Sequence, residues 1–244
     1  MGAPKVSMIN IELYSKRLEN NLKYLKSVGA KVDAFEIGNE LDWVCFNGDI
    51  PLGSKPIATG LPQQFYIKYG DMLKQSKRLI DMYYPGSKVL SFGAANPGLF
   101  GAADSYVQDP QNMLATLTYL NSINYLQYVD AIGIHLYPAS TNLVDILKAK
   151  NTISNYSSVS NSNKPIWITE WGFSLPTQTS SAVRYSGIRS FIELVNSMSE
   201  TAISNIFLYT FYLPGDGFSF VDSSGNTDAS IRVINQYNKL LGAF

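Results

Sequence analysis

The 244-residue chain holds one cysteine, Cys45, and one histidine, His135. A single thiol excludes an internal disulfide and any metal site built from several cysteines. A single imidazole excludes histidine-rich zinc centres. Neither a metal nor a cofactor is therefore expected. Charge is scarce, at 16% of residues, and balanced, with Lys+Arg and Asp+Glu both 19. With no basic cluster to follow phosphates, no nucleic-acid partner is expected. No apolar run approaches the roughly 20 residues that cross a bilayer, so no membrane span is expected either. Met1-Gly2-Ala3-Pro4-Lys5 lacks the apolar core of a signal peptide. There is no Gly-x-Ser-x-Gly elbow to arm a serine, and Cys45 has no assigned base. Gly93 to Gly101 has neither the spacing nor the lysine of a phosphate-binding loop.

What remains is a core-rich chain, 45% hydrophobic and 13% aromatic. Its low charge and abundant Ser, Asn and Tyr have the character of a secreted polysaccharide-handling protein, so an extracellular location is expected. Short apolar segments alternate with longer amphipathic ones, which argues for βα units around a parallel sheet. Met8–Asn10 is expected to be the end of a strand, and further strands are expected at Val32–Asn39, Lys88–Gly93, Val129–Leu136, Pro165–Thr169 and Ile203–Phe211. Helices are expected over Glu12–Val28, Gln63–Tyr83, Asn112–Tyr125, Leu143–Tyr156, Ala182–Ser199 and Ile231–Leu241, with a loop at Ser157–Asn163. No low-complexity linker divides the chain, so residues 1–244 read as one domain. Periodicity alone leaves a closed (β/α)8 barrel and an open doubly wound sheet both available.

Two segments carry chemistry: Phe35-Glu36-Ile37-Gly38-Asn39-Glu40 and Ile166-Trp167-Ile168-Thr169-Glu170-Trp171. Each is an apolar strand ending in a carboxylate, where parallel α/β enzymes place catalytic groups. Two facing carboxylates are the minimal apparatus for glycosidic cleavage. By alternation, Ala34, Glu36, Gly38 and Glu40 share one face, and Ile166, Ile168 and Glu170 share another. Glu36 lies about 13 Å below Glu40 at roughly 3.3 Å per residue, so it reads as a structural interior carboxylate. A third segment, Asp130 to Pro138, ends a strand with His135 and Tyr137 at the same parity. Trp43, Trp171 and Tyr209 are candidate stacking platforms for a sugar face, with Phe211 and Tyr212 near the last of them.

FEIGNE, IHLYP and ITEWG, in that order on successive strands, resemble the clan A retaining glycoside hydrolases. The Glu-Ile-Gly-Asn-Glu form with a later His-x-Tyr is similar to the β-xylosidase, arabinofuranosidase and β-glucuronidase branches; Ile-Thr-Glu-Trp-Gly leans towards cellulases and mannanases. The resemblance runs from Val32 to about Phe220, including Gly217 to Asp222. It implies a (β/α)8 TIM-type barrel with Glu40 as general acid/base and Glu170 as nucleophile. It further implies that Asn39 binds a sugar hydroxyl, Tyr137 orients Glu170 and His135 lines the pocket. Clan members place about three βα units ahead of the acid/base. The resemblance therefore implies an N-terminally incomplete barrel of about strands three or four to eight, one partial catalytic domain. A second chain or a dimer would then cover the open barrel edge. The function expected is retaining hydrolysis of a plant- or microbial-type oligo- or polysaccharide. The alternative is a non-catalytic carbohydrate-binding barrel or an inactive fragment.

Overall fold

The computed structural model describes residues 3–50, 61–95, 110–138, 140–159, 164–173, 181–198, 203–209, 218–221, 224–227, 231–232 and 234. These residues contain five helices, α1 (Ile11–Ser27), α2 (Gln63–Tyr83), α3 (Pro110–Ser122), α4 (Leu143–Val159) and α5 (Ser181–Ser197). They also contain five strands, β1 (Ala34–Glu36), β2 (Lys88–Leu90), β3 (Ile132–Leu136), β4 (Ile166–Trp171) and β5 (Ile203–Leu208). β1 pairs with β2, β3 with β4 and β4 with β5, every pair parallel. Single parallel bridges, Leu90 to Ala131 and Ala94 to Ile134, join the two groups. Strand order thus follows chain order, and each crossover carries a helix, as parallel neighbours require. The fold is α/β. Every residue of β3 is buried, as expected of a strand covered on both faces.

The core lies between these strands and their helices. Phe65, Tyr69, Leu73 and Ile80 of α2 are in one buried cluster with Val89, Phe92, Ile132, Ile134, Ile166 and Ile168. Burying each such side chain stabilises the fold by about 1.5–3 kcal/mol, so this layer dominates strand placement. Tyr69 adds direction to it. Its fully buried hydroxyl donates to Ile37 O at 3.0 Å and accepts from Phe92 N at 2.6 Å. One phenol therefore ties the ends of β1 and β2 together just where the candidate site begins.

Several expectations are corrected. Met8–Asn10 forms no strand: Val6–Met8 is a 3-10 turn, and the Asn10 side chain caps α1 by accepting from Leu13 N at 2.9 Å. The strand expected over Val32–Asn39 is reduced to β1 because the backbone turns left-handed at Gly38 (φ 100°) and again at Glu40 (φ 46°). α4 continues to Val159, so the start of the expected Ser157–Asn163 loop is helical. Phe211, Tyr212, Gly217, most of the last expected helix and residues 51–60 and 96–109 lie outside the described residues. Among the described residues, no helix is long and apolar enough to cross a membrane.

Candidate active site

Glu40, His135 and Glu170 converge where β1, β3 and β4 end. Glu40 reaches its position through a strained backbone. Asn39 makes a last parallel bridge to Gly93, Glu40 N donates to Gly93 O at 2.9 Å, and Trp43 N donates back to Glu40 O at 2.8 Å. A glutamate at φ 46° costs about 1–3 kcal/mol and persists only where surroundings over-determine it. Here the surroundings are those two backbone bonds and the imidazole of His135, whose Nδ1 lies 2.8 Å from Glu40 Oε1.

Glu170 depends on a bulge. Ile134 pairs with Ile168, but the next residue, His135, pairs with Glu170, so Thr169 is extra. The inserted residue swings Glu170 onto the face of His135 and puts Trp171 beside Leu136 on the other face. Strict alternation groups Ile168 with Glu170; the bulge separates them. The Tyr137 hydroxyl donates to Glu170 Oε2 at 2.5 Å, and His135 Nδ1 is 3.5 Å from the same oxygen. Tyr137 also meets Tyr209 edge-on at 5.9 Å and Phe218 at 5.2 Å. Arg184 of α5 holds the Phe218 segment, donating to Phe218 O and, at 2.8 Å, to Ser219 O.

Placement departs from expectation for three residues. Trp171 is 2% exposed and stacks on Phe191 of α5 at 4.6 Å, so it belongs to the core and cannot be a sugar platform. His135 is 1% exposed and lies beneath the two carboxylates instead of lining the cleft surface. Glu36, excluded on distance, faces His135 Nε2 at 3.7 Å and thus reaches Glu40 through the ring. Tyr209 stands beside Tyr137, Trp43 sits in the turn after Glu40 against Phe46, and Asn39 is exposed at the strand end. Sequence reasoning also missed Asp42 and Phe218. Asp42 is 1% exposed, and its Oδ1 accepts from Ala95 N at 2.9 Å. Its signal was an acid two residues past Glu40.

Burial and mutual charge set the protonation states. Burial pushes the Asp42 carboxyl up to about 8, against the lowering effect of its backbone bonds. Burial also raises the Glu170 carboxyl, and the neighbouring His135 charge and Tyr137 bond offset this in part. For His135, burial disfavours the charge, but Glu36, Glu40 and Glu170 outweigh it and hold the imidazole up to about 10. Burial and the Glu170 carboxylate keep the Tyr137 phenol far above its ordinary value, so it stays a donor. One donor atom each from Glu40, His135 and Glu170 lie within 4.8 Å of one another, a spacing that would suit a cation. A metal would need the imidazole neutral, whereas the carboxylates around the ring by themselves favour its cationic form. The imidazolium itself supplies the positive charge among the carboxylates.

These shifts carry a stability prediction. Between about pH 4 and 8 folded Asp42 keeps a proton that the unfolded chain, at its ordinary 3.8, has released. His135 does the same between its ordinary 6.5 and about 10. Both signs agree: stability falls as pH rises. Urea midpoints should decline from pH 5 to pH 10, most steeply near pH 7–8 where the windows overlap. A midpoint that holds level or climbs across that range would refute the assigned protonation states.

The family described as the glycosyl hydrolase catalytic core matches residues 107–229, just over half of the chain, and the chain belongs to it. With its strand-end motifs this makes it a clan A glycoside hydrolase. No curated protein sequence matches. Among solved structures, a fungal β-1,4-galactanase gives a TM-score of 0.65 at 15% identity, covering 96% of this chain and 70% of that one. The GH53 catalytic domain of Ignisphaera aggregans gives 0.59 at 19% identity, over 91% of this chain and 64% of that one. An endo-β-1,3-glucanase of Amycolatopsis mediterranei, solved with laminarihexaose, gives 0.54 at 13% identity over 88% and 75%. The chain thus spans less than two thirds of the Ignisphaera domain.

Proposed function

We propose that this chain is the catalytic domain, or a large part of it, of a retaining β-glycosidase acting on an oligo- or polysaccharide outside the cell. Its five parallel strands are read as the fourth to eighth of a (β/α)8 barrel. Glu170 is the nucleophile and Glu40 the general acid/base. The observation that carries this reading is their spacing: a carboxylate oxygen of each lies within 4.8 Å of the other. Retaining enzymes hold the pair about 5–5.5 Å apart, whereas inverting enzymes open them to about 6.5–9.5 Å to admit a water.

The steps follow from that geometry. A Glu170 oxygen attacks the anomeric carbon as its bond to the leaving oxygen breaks, and Glu40 gives that oxygen its proton. The product is a glycosyl ester on Glu170 and an ionised Glu40. Glu40 then takes a proton from water, the resulting hydroxide attacks the same carbon, and the ester bond breaks to restore both groups. One water is consumed. The Tyr137 hydrogen bond aims Glu170, while Tyr209 and Phe218 form an aromatic wall beside it that suits the apolar face of a sugar. The fungal structure is a β-1,4-galactanase and the Amycolatopsis one a β-1,3-glucanase, which supports a β-linked polymer as substrate.

Mechanism-based inactivators test this even while the sugar is unidentified. A panel of activated fluoro-glycosides and cyclophellitol-type epoxides should leave one covalent adduct, on the peptide bearing Glu170. An adduct on another residue would move the nucleophile. Sugar binding with no adduct and no turnover would turn the reading to a carbohydrate-binding barrel.

A further inference from the structure

His135 is surrounded by more carboxylate than two-step hydrolysis uses. Its Nδ1 faces Glu40 at 2.8 Å and Glu170 at 3.5 Å. Its Nε2 is buried, makes no hydrogen bond, and faces Glu36 Oε1 at 3.7 Å. Two bare positions make this approach feasible. A Cβ at Gly93 would lie 2.0 Å from His135 Nε2 and 2.9 Å from Glu36 Oε1; one at Gly133 would lie 2.8 Å from Glu36 Oε2. Gly133 sits on β3 and Gly93 just past the end of β2, between β1 and β4. The charged and titratable groups around the ring are Glu36, Glu40 and Asp42 from β1 and the loop after it, Glu170 from β4, and Tyr137 just past the end of its own strand. β2 contributes none beside it.

We propose that Glu36 is a positioning residue of this site: it anchors the far side of His135, so that the ring stays an imidazolium and presents its Nδ1 proton to Glu40 and Glu170. The inference rests on Glu40 and Glu170 as the working carboxylates. Its chemical content is specific. A neutral imidazole bearing its proton on Nε2 would turn the Nδ1 lone pair towards Glu40 and compete for the acid's proton. An imidazolium has no lone pair to offer, so that proton is left for the leaving oxygen. Once Glu40 is ionised, the same N–H stabilises the carboxylate that must next act as base.

The test uses the fact that His135 is the sole histidine, so its ring nitrogens give the only imidazole signals in a nitrogen-15 NMR spectrum. In the unmodified chain without substrate, both nitrogens should carry protons at pH 8. Glu36→Gln should lower the midpoint of that titration by about one pH unit or more, and Glu36→Asp should recover much of it. In the same Gln variant kcat should fall about tenfold with KM little changed, the equivalent of one pH unit in proton affinity. A His135 that titrates near 6.5 in the unmodified chain overturns the proposal without any variant. So does an active hydrolase whose His135 titrates alike with and without the Glu36 charge. A chain inert to every glycoside that still shows the shift supports the Glu36–His135 pairing and overturns the hydrolase reading alone.

Discussion

Glu170→Gln is expected to abolish steady-state hydrolysis, lowering kcat on the order of 10⁴-fold or more while leaving the fold intact. The amide keeps the size of the side chain and an oxygen to accept the Tyr137 hydrogen bond. It cannot form the glycosyl ester, because the amide oxygen is neutral and a poor nucleophile. Stability should hold or rise. Burial raises the Glu170 carboxyl above its ordinary value, which means the ionised form is disfavoured in the folded chain. Removing that charge relieves the folded state, a common exchange of stability for activity at catalytic positions. The measurement is initial rate together with thermal melting on the same sample. A variant that keeps more than a tenth of the rate would take the nucleophile elsewhere. A variant that loses the rate and also melts well below the parent would assign Glu170 a structural role.

Glu40→Gln carries the second large effect, and its signature is a dependence on the leaving group. For a natural glycoside the departing alkoxide needs a proton, so kcat should drop by about 10²–10⁴-fold. For a dinitrophenyl glycoside the departing phenolate needs none, and the first step should proceed at nearly the parent rate. The second step still lacks its base. The ester on Glu170 should therefore accumulate, giving a burst of phenolate followed by slow turnover. The left-handed backbone of Glu40 is kept in this variant, and its side chain still accepts from His135, so misfolding does not explain such a pattern. Equal losses on good and poor leaving groups would remove Glu40 from the acid/base role.

Much of this site is legible in the sequence because strand-end carboxylates leave a local signal. An apolar run such as Ile166-Trp167-Ile168 that stops at a glutamate marks both the strand and its C-terminal rim. The same holds for β3, where Ile132-Gly133-Ile134 leads to His135 and Tyr137. Pure alternation failed where the backbone left it. Gly38 and Glu40 take positive φ, which ends β1 after three residues, and Thr169 is bulged out of β4. A period-two rule has no means to register an inserted residue, so it grouped Ile168 with Glu170. Trp171, expected as a sugar platform, lies on the face opposite Glu170 and stacks its indole on Phe191.

Glu36 shows a different limit. The distance along the strand between Glu36 and Glu40 is real, and it does preclude direct contact. What distance along one strand cannot convey is that His135, 95 positions after Glu40, enters between them. The chain by itself determined that there is one imidazole, two strand-end glutamates, balanced charge and an alternating βα plan, since these are local or compositional properties. Only the tertiary structure decided that β1, β3 and β4 deliver those groups to one place. It alone showed that Gly93 and Gly133 leave room for Glu36 against the ring, that the surrounding carboxylates hold the histidine charged against burial, and that burial raises the Glu170 carboxyl. Convergence of side chains from distant segments, and the low dielectric that shifts their protons, exist only once the strands are packed side by side.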